Sequence, residues 1–89
     1  MRMPLVSLCE GVSKEYLGNE AVLYGRNEEL FTLNEMGSLI LDYALHVESE
    51  REIVCAIEGE YDCRDFPVAL DVRKYLGRLE SCGLVTRNN

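Results

Sequence analysis

The sequence contains few of the residues from which most active sites are built. Its 89 residues include a single histidine, His46, and no tryptophan. It has no glycine-rich phosphate loop and no constellation of histidine, cysteine and carboxylate residues that indicates acid–base catalysis. A chain of this length also leaves little room for an enclosed active site once its core has formed. These absences favour a non-enzymatic binding domain over an enzyme.

Positive charge is also scarce. Nine Lys and Arg residues oppose sixteen Asp and Glu residues, which gives a formal net charge of −7. Binding of nucleic acid depends on neutralising phosphates with Lys and Arg, so the balance argues against a nucleic-acid partner. The 47% hydrophobic content is that of an ordinary folded domain. We expect residues 1–89 to form one domain.

The four cysteines include no Cys-x-x-Cys pair, and His46 is not spaced to complete a zinc site. We therefore expect no metal site and no cofactor. The first nine residues lack the sustained apolar run of a signal peptide, and no segment reaches transmembrane length. The expectation is a cytoplasmic protein with free thiols and no membrane partner. Cys55 and Cys82 fall in helical patterns and are predicted to be small buried hydrophobes.

The first third of the chain predicts antiparallel strands. Residues 21–24 and 29–33 are rich in strand-forming side chains, and residues 12–17 form an additional candidate strand. Gly18-Asn19 and the segment 25–28 supply the glycine and asparagine that tight reversals need.

Helices are predicted after the strands. Asn34 is suited to N-cap a helix that runs to about Leu45. Ser49 and Glu52 have the spacing of a capping box for a second helix, which ends near Gly59. The predicted inward residues of these two helices are Met36, Leu39, Ile40, Tyr43, Ala44, Ile53, Val54 and Ile57.

A third helix is predicted near the end of the sequence. Asp65 can cap it, Pro67 suits its first turn, and Gly83 supplies the stop. Its apolar stripe is Val72, Tyr75, Leu76 and Leu79. Strands grouped before helices indicate an α+β fold.

Two surfaces could bind a partner. The strand 29–33 could lie at a sheet edge and accept an added strand, although an ordinary half-buried strand has the same pattern. The outward side of the third helix would carry Leu70, Arg73, Lys74 and Gly77, although scattered exposed Leu and Lys are common. Because that helix is cationic, a winged-helix DNA-binding transcription regulator stays open as an alternative.

Three segments together resemble the PqqD family, named for pyrroloquinoline quinone biosynthesis protein D, and the similarity covers residues 12–85 in order and spacing. They read Leu33-Asn34-x-x-Gly37-x-x-Ile40-Leu41, then a capped helix ending at Tyr61, then Asp71-Val72-x-x-Tyr75-Leu76-x-x-Leu79-x-x-x-Gly83-Leu84-Val85. The sequence departs from the family at Gly37, where Ala is usual, and at His46-Val47-Glu48, where a short Asp-Gly type turn is common. The quinone pathway and the modification of another peptide therefore both stay open.

The resemblance implies a winged-helix-like fold with three N-terminal antiparallel strands followed by three helices. It implies recognition of the leader of a ribosomally made precursor peptide, which is presented to a modifying enzyme, often a radical S-adenosylmethionine enzyme. A homodimer is compatible with it. The leader would lie as an extra strand between the third strand and the third helix. The residues placed there are Glu29, Leu30, Phe31, Thr32, Leu33, Leu70, Arg73, Lys74 and Gly77.

Overall fold

The structure, a computed structural model, describes residues 3–61 and 67–88. Its elements follow in the order β1 (Val6–Leu8), β2 (Ser13–Leu17), β3 (Glu20–Tyr24), β4 (Leu30–Leu33), α1 (Glu35–Ala44), α2 (Glu50–Glu60), α3 (Val68–Ser81) and β5 (Val85–Arg87). The strands form two antiparallel sheets, one of order β2-β3-β4 and one that pairs β1 with β5. The predicted α+β class, with three consecutive strands before three helices, is confirmed.

The three-stranded sheet is a meander with two tight turns. Leu17 pairs with Glu20, which leaves Gly18 and Asn19 as a two-residue loop, and Gly18 has a φ of 66°. A positive φ at the first loop residue is the geometry of a type II′ turn, which suits the twist of a hairpin. The second reversal, at residues 25–28, is also where the sequence predicts it.

The sheet of β1 and β5 is not predicted from the sequence. Val6 pairs with Arg87 and Leu8 pairs with Val85, so the two ends of the described chain meet. The Asn88 side-chain amide donates to the Pro4 carbonyl at 2.8 Å and so reinforces the pairing. Each strand has three residues, too few for a pattern of alternating hydrophobicity to be recognised.

The caps predicted for α1 and α2 are both present. The Gly37 amide donates to the Asn34 side-chain oxygen at 2.8 Å, so one unpaired amide of the first turn of α1 is satisfied. The Ser49 hydroxyl accepts from the Glu52 amide, and the Glu52 carboxylate accepts from the Ser49 amide. These bonds form the complete capping box.

The start of α3 differs from the prediction. Pro67 occupies the N-cap position without a side-chain cap, and the helix begins at Val68. The predicted cap, Asp65, lies outside the described residues. At the other end Gly83 has a φ of 75°, which confirms its role as the stop.

The core lies between the helices and one face of the meander. The buried apolar side chains are Leu5, Val6, Ala21, Leu23, Leu33, Ile40, Leu41, Ala44, Ile53, Ile57, Val68, Val72, Leu76, Leu79, Leu84 and Val85. Three predictions about burial are wrong, because Met36, Cys55 and Cys82 are exposed. Cys55 lies two residues after Ile53, about 200° around the helix, so it faces away from the core when Ile53 and Ile57 face inward.

Polar contacts fasten β2 to α1. The Lys14 ammonium lies 2.9 Å from the Asp42 carboxylate, and the Tyr16 hydroxyl donates to the same oxygen. Partial burial lowers the pKa of Lys14, but its interactions with Tyr16 and Asp42 outweigh that effect and raise the pKa above its usual 10.5. Lys14 and Tyr16 therefore lie on the face of the sheet that α1 covers.

Glu28 has a φ of 63° in the turn before β4. A side chain in this left-handed conformation costs about 1–2 kcal/mol, which glycine avoids. We expect Glu28→Gly to raise the free energy of unfolding by about 1 kcal/mol, measured by chemical denaturation. Glu28→Ala is the matched control, because it removes the same charge but keeps a Cβ. An equal gain in both variants would assign the effect to charge and contradict the strain.

Candidate functional site

The free edge of β4 is the first component of the candidate site. Within residues 3–61 and 67–88, β4 pairs with β3 alone. The Gly25 amide donates to the Glu29 carbonyl at 2.8 Å, and hydrogen-bonded pairs alternate along an antiparallel ladder. With the register Leu23 to Phe31, the residues whose backbone groups face β3 are therefore 29, 31 and 33. The amides and carbonyls of Leu30 and Thr32 point outward, away from the sheet.

Helix α3 approaches the end of β4 through Tyr75. The Tyr75 hydroxyl lies 3.5 Å from the side-chain oxygen of Asn34, the residue that follows β4. Its ring also lies over Gly37 of α1, where a Cβ would be only 2.1 Å from the hydroxyl oxygen. The absence of a side chain at Gly37 is what allows the tyrosine to occupy this position.

The other end of α3 approaches the start of β4 across a cavity of about 330 Å³. Its lining residues come from the β3–β4 turn, from β4, from the residues before β2 and from the end of α3, namely Cys9, Gly25, Arg26, Asn27, Glu29, Phe31, Cys82, Gly83 and Leu84. A cavity of this size accommodates one or two side chains of a bound peptide. We define the β4–α3 groove as the space beside the free edge at Leu30 and Thr32, bounded on α3 by Tyr75 and Cys82.

The predicted residues of β4 differ in what they offer a ligand. Glu29, Leu30 and Thr32 are exposed, and Phe31 is half-buried at the cavity. Leu33 is only 5% exposed and belongs to the core. The strand therefore offers outward backbone groups at two positions and one aromatic wall.

The predicted residues of α3 lie at different angles around the helix from Tyr75, which faces the groove. With about 100° of rotation per residue, Arg73 and Gly77 are about 160° from Tyr75, and Leu70 is about 140° from it. Lys74 is nearer, at about 100°. Leu70, Arg73 and Lys74 are exposed. Of the four, Lys74 therefore lies nearest to the face of α3 that carries Tyr75, while Leu70, Arg73 and Gly77 lie towards the opposite side of the helix.

Sequence reasoning missed the two α3 residues that bound the groove. The sequence predicts Tyr75 as part of the core stripe and Cys82 as a buried residue. Tyr75 does pack against the core but is only half-buried, and Cys82 is exposed. The signal that could have identified Tyr75 is its amphipathic side chain, whose hydroxyl needs a polar partner at the margin of a core.

We also searched the described residues for a metal site, for a role of the single histidine and for a membrane-spanning helix. It contains no group of three or more His, Cys, Asp and Glu residues arranged to hold a metal ion. His46 is exposed, and its Nδ1 lies 2.6 Å from the Asp42 carbonyl at the end of α1. None of the described helices has the length and apolar character required to cross a membrane.

The family is decided by residues 20–85, which match the family model described as Coenzyme PQQ synthesis protein D (PqqD). The chain belongs to the PqqD family. This span contains β3, β4, all three helices and the beginning of β5, and so includes the groove residues Leu30, Thr32, Tyr75 and Cys82. No curated protein sequence matches the chain.

Two solved structures have the same fold. "TbiB1 in Complex with the TbiA(beta) Leader Peptide" is 28% identical, with a TM-score of 0.78, over 88% of this chain and 92% of that one. "Lasso peptide synthetase B1 complexed with the leader peptide" is 22% identical, with a TM-score of 0.82, over 92% of this chain and 98% of that one. The second likeness is evidence for the fold only. Both relatives are described as complexes with leader peptides.

The contact between Gly37 and Tyr75 gives a prediction about stability. Ala is the better helix former by about 1 kcal/mol, but its Cβ would collide with the tyrosine ring. We expect Gly37→Ala to lower the free energy of unfolding by about 1–2 kcal/mol in chemical denaturation. In a Tyr75→Ala background the same substitution should raise it. An equal effect of Gly37→Ala in both backgrounds would contradict the coupling.

Proposed function

We propose that this PqqD-family protein is a non-enzymatic chaperone that binds the leader of a ribosomally made precursor peptide and presents it to a modifying enzyme. The leader adds to the free edge of β4 as an antiparallel or parallel strand and lies in the β4–α3 groove. The observation that carries the proposal is the outward orientation of the Leu30 and Thr32 backbone groups beside α3. The relative that is 28% identical, described as a complex with a leader peptide, supports the class of ligand.

Backbone pairing and side-chain contacts have different roles in this binding mode. Main-chain hydrogen bonds from an added strand give affinity for any extended peptide, while pockets for alternate side chains give selectivity. Here the cavity beside Phe31 and Cys82 is the pocket nearest the strand. The proposed site keeps Glu29, Leu30, Phe31, Thr32, Leu33, Leu70, Arg73, Lys74 and Gly77, with Tyr75 and Cys82 added from the structure.

The partner enzyme, the compartment and the domain organisation are proposed from the same role in leader recognition. The partner enzyme is proposed to be a radical S-adenosylmethionine enzyme or another peptide-modifying enzyme, in the cytoplasm where precursor peptides are made. The whole chain, residues 1–89, acts as one recognition domain. The DNA-binding alternative is not favoured, because the chain belongs to the PqqD family and its net charge of −7 repels phosphates.

A proline at Thr32 tests the strand placement. Thr32→Pro removes an amide that faces outward, so the bonds between β3 and β4 should survive while the leader loses a donor. We expect the Kd for a cognate leader to rise by about tenfold in calorimetry, as one lost hydrogen bond and the unpaired partner imply.

Thr32→Val is the matched control, because it removes the hydroxyl and keeps the amide, and it should bind the leader normally. If Thr32→Pro does not fold, Leu30→Pro tests the other outward amide at the first residue of the strand, where proline is better tolerated. A folded proline variant with wild-type affinity would overturn the placement of the leader.

The α3 cations predict the charge of the leader. Arg73 and Lys74 should favour leaders with Asp or Glu near the docked segment, although each exposed pair contributes only about 0.2–1 kcal/mol. We expect the double variant Arg73→Glu/Lys74→Glu to slow association and to reduce its salt dependence in stopped-flow titrations. Lys74→Glu alone should account for more of the effect, since Lys74 is nearer Tyr75.

Arg51→Glu is the charge-matched control for Lys74→Glu, because each variant replaces one cation by one carboxylate. Arg51 is exposed on α2, outside the proposed groove, so it reports the effect of net charge alone. If the double variant associated at the wild-type rate with the wild-type salt slope, Arg73 and Lys74 would be part of an ordinary solvated helix face.

A further inference from the structure

One arginine of α3 lies on the side of the helix that faces β4. Tyr75 contacts Asn34 at the end of β4, and Cys82 lines the cavity at the start of the strand, so these two residues mark that side. With about 100° of rotation per residue, Cys82 is about 20° from Tyr75 around the helix, and Arg78 is about 60° from it in the same direction. Arg78 therefore belongs to the side of α3 that borders the β4–α3 groove.

The core lies in the other direction around α3. The buried residues Val72 and Leu76 are about 60° and about 100° from Tyr75 in that direction. Arg78 is on the opposite margin of Tyr75 and is exposed. Its side chain thus lies at the solvent-facing lip of the groove, where a ligand can reach it.

Along the helix axis, Arg78 lies between the two contacts with the β4 region. At a rise of 1.5 Å per residue, its Cα is about 4.5 Å beyond that of Tyr75 and about 6 Å before that of Cys82. Since Tyr75 lies at the end of β4 and Cys82 near its start, Arg78 is level with the middle of the strand. The backbone groups of Leu30 and Thr32 point outward there. A strand added at this edge would pass below the guanidinium.

The described part of the fold does not use the Arg78 guanidinium. Glu80, the carboxylate closest to Arg78 in sequence, already lies 3.8 Å from the Arg87 Nε. Within residues 3–61 and 67–88, no ion pair or side-chain hydrogen bond joins Arg78 to another residue. A guanidinium presents its donors as a planar fork that matches the two oxygens of a carboxylate. Arg78 can therefore bind a carboxylate of a ligand without losing an existing contact.

We propose that Arg78 selects the leader by binding the side-chain carboxylate of an Asp or Glu that lies opposite the middle of β4. This inference rests on the proposed function and adds a residue that the sequence prediction omits. Arg73, about 160° from Tyr75, points away from the groove, and Lys74 is about 100° from it. The Glu29 carboxylate at the cavity repels an acid at the start of the strand. The recognised acid therefore lies beside Arg78 and not at the cavity.

A pair of arginine-to-glutamine variants tests this assignment. Arg78→Gln and Arg73→Gln remove the same charge from the same helix, so only the position differs. The probe is a synthetic leader peptide of the precursor encoded beside the protein's gene, measured by calorimetry. We expect its Kd to rise about fivefold for Arg78→Gln, the upper range for an exposed ion pair, and to stay within about 1.5-fold for Arg73→Gln. Arg78→Lys should recover part of the affinity, because it keeps the charge but not the fork.

Variants of the leader identify the group that Arg78 contacts. Each Asp or Glu of the probe is replaced in turn by Asn or Gln, and each peptide is measured with the wild type and with Arg78→Gln. One replacement should weaken binding to the wild type by about fivefold and have little effect on Arg78→Gln, as direct coupling requires. The same replacement should weaken binding to Arg73→Gln as much as to the wild type.

Equal losses of affinity in Arg78→Gln and Arg73→Gln would overturn the inference. A loss in Arg78→Gln that couples to no acidic residue of the leader, or tight binding of a leader without any, would also overturn it. Each of these results leaves the proposed function standing, because the wild type still binds the leader. Failure of the wild type to bind the leader would overturn the proposed function, and the inference with it.

Discussion

The contact between α1 and one face of the meander is the interaction on which the rest of the structure depends. A sheet of three short strands is not stable in water unless one of its faces is buried against another element. Ala21, Leu23 and Leu33 supply that face, and Ile40 and Leu41 of α1 cover it within one core cluster. Helix α1 covers one face only, and within residues 3–61 and 67–88 the outer edge of β4 stays unpaired beside it.

The short connection between β4 and α1 fixes the position of α1 relative to the strand that borders the groove. Leu33 is the last strand residue, Asn34 is the helix cap, and the helix begins at the next residue, so α1 has little freedom relative to the strand. The Ser38 hydroxyl also donates to the Leu33 carbonyl at 3.3 Å, within the buried junction. Gly37 then lies where Tyr75 of α3 can reach the junction. The position of α3 beside β4 is therefore set by packing at the junction and not by contacts along the whole strand.

The sequence predicts the features that depend on near neighbours in the chain. The caps at Asn34 and Ser49, the stop at Gly83 and the two hairpin turns each involve residues within a few positions of one another. The pairing of β1 with β5 joins residues that are far apart in sequence, and nothing in either three-residue strand specifies its partner. Similarly, periodicity identifies the buried stripe of α3 but not which neighbour lies on each side of it. The contact of Tyr75 with Asn34 and the place of Cys82 at the cavity both depend on such neighbours, so periodicity alone does not predict them.

The free edge of β4 and the cavity beside it differ in chemistry. The edge at Leu30 and Thr32 offers backbone donors and acceptors, which suit an extended chain regardless of most of its side chains. The cavity lined by Phe31 and Cys82 offers a space for side chains. A strand added at the edge forms its hydrogen bonds in the plane of the sheet and directs alternate side chains to its two faces. In this geometry the backbone groups of β4 supply affinity and the cavity supplies selectivity, because different groups of one site do the two tasks.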